Sequence, residues 1–536
     1  MSLKYTSLLK VSALGFVLLS VGACKPADKG QGALKSEGVA ALNLSKSEAS
    51  VFSKYFETEP CDVDELEALG ALAGLGLGED GANGLNFASR DFNAGLVSYR
   101  DIKLESDEEG SPAFSAKKAV FHCPRMGDES PGFERLDLTD VTIGDGDVRF
   151  TFGTLNVANP TNGAAAAILE GMLGTQSSSD EDVGFEAVSL TDVTVQSDEV
   201  FGSLASLSWG ETRDETGQGK ADLTIDNLDV TVPGRNGAQD LTLKLDGVSA
   251  RNLLIGGKVN PQQVTSTNGI LSGALSNLNA FEKPYDQLIV ETMKLDTDGF
   301  AGDIGGIEGQ TTEENGVIIT RQNLKPSVIS FKESLADNPA FSQNYSRIKT
   351  LGFETVKFSG SSVTTLNKAD DSYSISDGLL VVEDGFALNF EYSAEGLKDM
   401  LTQLKQQAEA NPSPDILEIY KSLELRNLRI TLEDNSIVER GLKLASEMTG
   451  QNETAIKFGL GAAVFFAASR AKNELQAEVY TETVEAFANF VKKGGTLTIE
   501  ANPPEPFSLA PLFTGQDDDI DPESLGFSAY QDGGPE

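Results

Sequence analysis

Phe133-Glu-Arg-Leu-Asp-Leu-Thr-Asp-Val-Thr-Ile143 and Phe185-Glu-Ala-Val-Ser-Leu-Thr-Asp-Val-Thr-Val195 are two versions of one segment. Their reading decides the fold. Apolar side chains alternate with polar ones, the period of a strand with one face turned to a core. An Asp, Asn or Gly near the middle predicts a bulge or bend, after which the next residues face the other way. Phe353–Val363 keeps the same frame, and shorter versions stand at Leu223–Val230, Leu243–Ala250 and Leu423–Ile430. The spacing between copies is irregular, which excludes a strict solenoid. Stacked, twisted antiparallel strands built by duplication are expected.

Working outward, period-two runs occupy Leu96–Leu104, Ala116–His122, Leu136–Ile143 and Val148–Val157, interrupted by a short Ala-rich helix at Gly163–Leu173. Residues 43–78 read as helical in part. The C-terminal third changes period, with helix-like segments at Ala394–Ala410, Ser413–Leu423, Ser436–Thr449, Glu453–Ala471 and Glu474–Lys493. Asn452 and Asn473 suit N-caps. Lys492-Lys493-Gly494-Gly495 is a helix stop, with cations at the negative end and glycine beyond. A strand, Thr496–Glu500, and a Pro-rich run, Asn502–Pro511, follow. The acidic end, residues 514–536, is expected to be disordered. The fold class is α+β: an elongated, twisted antiparallel β-sheet of repeated strands with a helical subdomain at 394–495. The other expected divisions are a leader at 1–23, a flexible tether at 24–42, helix plus first strands at 43–130, the repetitive β domain at 131–393 and a terminal strand at 496–513.

Acidic side chains outnumber basic ones 82 to 42, for a net charge of −40. That balance argues against nucleic acid and against embedding in anionic headgroups, since both reward Lys and Arg. It favours a solvated acidic surface. With 28 Phe and 39% hydrophobic residues, the chain has ample material for cores and is not a disordered acidic polymer.

The N-terminus carries an address. Lys4 and Lys10 precede the apolar run Val11–Val21, and Gly22-Ala23 supplies small residues at a cleavage point. A permanent membrane helix needs about 20 apolar residues, so this run fits a secretory signal instead. Val21-Gly22-Ala23-Cys24 resembles the bacterial lipobox. The resemblance implies cleavage before Cys24, a diacylglyceryl thioether on its sulfur and acylation (palmitate) of the new amine. Lys25 stands where the family's inner-membrane retention signal has Asp, which implies the outer membrane. Each buried acyl methylene contributes roughly 0.8 kcal/mol, so several chains anchor stably.

Two further cysteines remain, Cys61 and Cys123. In an oxidising compartment an even pair suggests a disulfide stapling the N-terminal helical segment to the first strands, with two buried thiols as the alternative.

Candidate chemistry is sparse. His122 is the single histidine, so His-based zinc or Ser-His-Asp chemistry would depend on it alone. Ser346-Arg-Ile-Lys349 fits S-x-x-K but lacks the companion K-T-G, and Gly76-x-Gly78-x-x-Gly81 follows helix-like residues with Glu79-Asp80 set to repel pyrophosphate. Asp517, Asp519 and Asp521 mimic a calcium loop, yet Pro522 replaces the needed glycine. Asp145-Gly146-Asp147 and Asp296-Thr-Asp298-Gly299 read as turns. Phe458–Ser469, the most apolar stretch past the leader, is too short to span a bilayer and reads as the central helix of a bundle. No catalytic residue, metal site or cofactor is nominated.

Repeated apolar-x-apolar-x-Asp strands in a tethered envelope protein resemble the AsmA/TamB-type proteins, over roughly residues 130–300 and 350–435. The resemblance implies a sheet forming a lipid-lining groove. This chain departs from that family in using a lipid anchor where the family has a transmembrane helix. The expectation is a non-enzymatic, lipid-anchored envelope protein that binds lipid-like or apolar molecules or scaffolds the outer membrane, with no nucleic-acid partner. The alternatives are a surface-displayed binding or adhesion lipoprotein, partnered by another envelope protein, and a carboxylate-dependent glycan hydrolase.

Overall fold

The computed structural model describes most of residues 50–532; the main stretches outside the described residues are 1–41, 169–183, 256–281, 404–421, 460–473 and 509–521. The protein is α+β and mostly antiparallel sheet, with helices concentrated toward the C-terminus. It divides into two compact units: one comprises Ser45–Leu253 with Ile289–Asp298, and the other Gly299–Glu536 with Leu254–Leu288.

The first unit is a run of antiparallel neighbours: β1 (Ser89–Asn93), β2 (Leu96–Leu104), β3 (Phe114–His122), β4 (Arg135–Ile143), β5 (Val148–Ala158), β6 (Ala187–Ser197), β7 (Phe201–Arg213) and β8 (Gly219–Val232). β9 (Leu241–Ile255) pairs with β10 (Met293–Asp296). Helix α1 (Ser50–Ser53) lies against β7. Helix α2 (Glu65–Gly74) starts at Asp64, whose side chain accepts the Glu67 N–H at 2.9 Å.

The predicted mid-strand bend is real and sits in register from strand to strand. Asp140 and Asp192, which hold the same place in the two long repeats, have φ of 49° and 50°, and Asn227 on β8 has 49°. These three lie on alternate strands of the ladder, and at each one the pairing skips a position. Asp and Asn tolerate this left-handed conformation better than most residues because their short polar side chains bond locally. The apolar phase shifts at the same place. Leu136 and Leu138 precede the bend and Val141 follows it, yet all three belong to one buried cluster with Ala68, Leu72 and Leu77. Phe152, Leu155 and Ile143 pack against that cluster too. The bend therefore keeps both halves of each strand facing one core.

In the second unit β11 (Phe300–Ile304) and β12 (Ile307–Glu314) both pair with β13 (Val317–Phe331). β14 (Thr355–Asn367), β15 (Ser372–Val382), β16 (Phe386–Glu395), β17 (Glu424–Asp434), β18 (Thr496–Ala501) and β20 (Phe527–Asp532) extend this antiparallel ladder, and β19 (Phe507–Ser508) adds to β17. Helices α3 (Ser342–Thr350), α4 (Ile437–Thr449) and α5 (Glu474–Lys493) complete the described long elements. Helix α5 drops Ala486 and Phe490 onto Leu497 and Ala529 to form a second core.

Three sequence readings change. The end of the chain is not wholly disordered, because Phe527–Asp532 pairs along β18; its alternating Phe527 and Ala529 face the α5 core, and the acidic run before it obscured that pattern. Within residues 394–495, strand β17 runs through the sheet, so the helices there lie between paired strands. The helix expected from Ala394 begins after β16 has ended at Glu395. Most of Gly163–Leu173 and of Phe458–Ser469 lies outside the described residues. Asn452 does cap its helix, accepting the Ala455 N–H at 2.8 Å. The predicted stop after Lys493 is two left-handed glycines, Gly494 and Gly495.

Candidate functional site

Followed across the first unit, the rows of directly opposed residues define an apolar face. One row runs Val141, Phe152, Val193, Leu204, Leu228 on β4 through β8, and the next runs Leu138, Leu155, Leu190, Leu207, Ile225. Outer rows are Ile143, Phe150, Val195, Gly202, Val230 and Leu136, Val157, Val188, Trp209, Leu223. Opposed residues in an antiparallel ladder share a face, and Phe152 and Leu155 touch the same cluster, so the rows point the same way.

Cover is unequal along them. At β4, Leu136, Leu138 and Val141 are almost wholly buried beneath α2. On β5 through β8 Phe152, Leu190, Leu204, Leu207, Trp209 and Leu228 are only half-buried, whereas Val157 and Ile225 in the same rows are buried. Phe150 is 37% exposed. The result is a partly exposed apolar face, called the trough below, about 23 Å long along the strands at about 3.3 Å per residue between Phe150 and Val157. Four strands at about 4.8 Å spacing make it about 14 Å wide between outer strand axes. The opposite face of the same strands carries hydroxyls, with Thr154 and Thr191 bonded at 2.9 Å and Thr151 bonded to Thr194.

The segment arriving from the N-terminus is clamped to this unit at three places. Tyr55 donates to Asp222 Oδ2 at 3.2 Å, and Lys54 Nζ pairs with the same oxygen at 3.3 Å. Asp222 is 6% exposed, and its other oxygen accepts the Asn252 N–H at 3.1 Å. The Tyr55 ring fills the space where a side chain on residue 210 would stand, so only glycine fits there. Arg135 donates to the Phe56 carbonyl while its guanidinium lies 5.7 Å from the Phe56 ring centre. Cys61 and Cys123 are joined, with Cα atoms 6.0 Å apart. Cys123 has φ of 50°, and its N–H bonds the Gly95 carbonyl at 2.9 Å. Gly95, itself left-handed, leaves room for Cys61 Sγ.

The predicted site residues thus divide. Cys61 and Cys123 come together, and Cys24 lies outside the described residues, as do Asp145–Asp147 and the Asp517–Asp521 run. His122 sits 2.8 Å from Asp137 Oδ2, and Arg135 Nε donates to Oδ1 at 2.7 Å. Burial opposes ionisation of Asp137, but the hydrogen bonds from His122 and Arg135 outweigh it and hold the carboxyl below its ordinary range. This cluster orders the strand ends and the Phe56 segment. Ser346 and Lys349 lie on helix α3, and Gly76 is a left-handed helix terminus. Among the described residues no group of three or more His, Cys, Asp or Glu is placed to hold a metal ion. No helix among them is long and apolar enough to cross a membrane. The Lys54–Tyr55 clamp had no signal in the sequence, because it depends on register between distant strands.

A family model described as "Uncharacterized protein" matches residues 379–531, from the second half of β15 through β20. No curated protein matches the chain.

Proposed function

We propose that this is a lipid-anchored envelope protein that holds acyl chains in the trough of its first unit. The observation that carries the reading is the change in cover along the row Val141, Phe152, Val193, Leu204, Leu228, from buried on β4 to half-exposed on β5 through β8. Burying half-exposed Leu, Phe and Trp is worth about 25 cal/mol per Å² of apolar surface, and a contiguous exposed apolar patch marks a binding surface. The length suits an alkyl chain, because one leaflet of bilayer hydrocarbon is about 15 Å thick. The Val21–Cys24 lipobox supplies the membrane contact that a chain of net charge −40 would not make by electrostatics.

The test is native mass spectrometry of the soluble Cys24→Ser protein. Lipid mass that co-purifies, and is lost on Leu204→Asp with the fold retained, is the expected result. A clean apo mass from freshly isolated protein overturns the reading.

A further inference from the structure

The outer row at the Phe150 end holds four apolar side chains and one glycine: Ile143, Phe150, Val195, Gly202 and Val230. Glycine inside a strand weakens it and packs nothing, so it marks a bulge, a strained or crowded backbone, or a place where a ligand comes close. At Gly202 the first reasons fail. Pairing runs without a skip from Phe201 to Leu204 on both edges of β7. The backbone of Gly202 is not left-handed. A Cβ there would meet the Asp229 carbonyl oxygen at 3.7 Å, Val195 Cβ at 3.9 Å and Val230 Cγ2 at 4.0 Å, all ordinary contacts. Two other glycines of the same sheet differ. Gly210 yields its place to the Tyr55 ring, and at Gly153 a Cβ would stand 2.7 Å from Asp192 Oδ2.

We propose that Gly202 sets the length of acyl chain this protein holds, its bare backbone being a bay that the end segment of a long chain occupies. The assignment rests on the acyl-chain reading above and adds a limit on chain length. Strands β6 and β8 flank Gly202, so the bay is about 10 Å wide between strand axes and is walled by Val195 and Val230. It lies in the last row of the face, where a short chain resting on the inner rows does not reach and a long one does. Filling it withdraws two residues of strand, about 7 Å, from the usable length. A valine at this position would suit the sheet better, because it would pair with Val195 and Val230 across the strands. Glycine there costs the fold stability and leaves the bay open.

The test is Gly202→Val in the Cys24→Ser protein, read by native mass spectrometry with equimolar dodecanoate and octadecanoate and by a denaturant unfolding curve. The unfolding midpoint is expected to rise. Each methylene kept from apolar contact weakens binding roughly fourfold, so the bound ratio of octadecanoate to dodecanoate is expected to fall about tenfold. Gly202→Ala, which fills less of the bay, is expected to fall between. A midpoint lowered in both variants would mean that the protein's own atoms require the glycine. An unchanged ratio, or equal loss of both acids, would mean that no chain end reaches the bay. Either result overturns the assignment of Gly202 and leaves the acyl-chain reading standing. Uptake of neither acid by the protein with Gly202 intact overturns both.

Discussion

Asp140, Asp192 and Asn227 hold backbone angles that L-residues enter at a cost of about 1–2 kcal/mol each. The cost is lowest for Asp, Asn and Gly, and a β-branched residue meets it in full. Asp192→Val is therefore expected to destabilise the first unit by about 1–2 kcal/mol, and Asp192→Gly to be near neutral, read from denaturant midpoints at unchanged slope. An equal effect of the two substitutions would remove the backbone explanation. Asp137 makes a pH-dependent contribution. Its carboxyl is held below its ordinary range, so the stabilisation is complete above the unfolded value near ~3.9 and is lost as pH falls through the folded value beneath it. Asp137→Asn should cost about 1–3 kcal/mol at pH 7, as for a hydrogen bond to a charged group, and less at pH 3, below the unfolded value. Denaturant titrations at the two pH values check both statements. The position of the bend was legible in the sequence because the apolar alternation changes phase at the aspartate. The His122–Asp137 pairing was not, because it joins diagonal positions on β3 and β4, where His122 faces Arg135 and Asp137 faces Val120.

At the scale of elements, the N-terminal segment is held by a disulfide, a buried carboxylate and one arginine, each on a different strand. The cysteines are separated by 62 positions. Closing a loop of that size stabilises by about 4 kcal/mol in the chain-entropy model. Cys61→Ser with Cys123→Ser should lower stability by up to that amount, and reduction of the native protein should match it within the error of an unfolding curve. A shift under about 1 kcal/mol would mean that the Tyr55–Asp222 and Arg135–Phe56 contacts already order the unfolded loop. Helix α5 was readable at both ends, with glycines and lysines at the stop and an apolar stripe facing β18 and β20. Strand β20 was not, because one short alternation beside an acidic run resembles tail composition. The C-terminal helices were legible from their period, but the pairing of β17 on both edges was not, because a single short repeat does not reveal its partners.

At the scale of the molecule, each unit is an antiparallel sheet with an apolar face that a helix covers in part. Helix α2 seals the β4 end of the first unit, and α5 seals the β18 and β20 end of the second. Partial cover leaves apolar surface that folding alone does not use, and in the first unit that surface is the trough on β5 through β8. Its existence could be anticipated from repeated one-sided strands, but its location follows from strand order and from where α2 stops. In the proposed reading, an anchor on Cys24 holds near lipid a body whose net charge of −40 disfavours anionic membrane. The most direct measurement is quenching of Trp209 by lipids brominated along the acyl chain, added to the Cys24→Ser protein. Strong quenching that disappears with Leu204→Asp is the predicted result. Bound lipid that leaves Trp209 emission unchanged would contradict it.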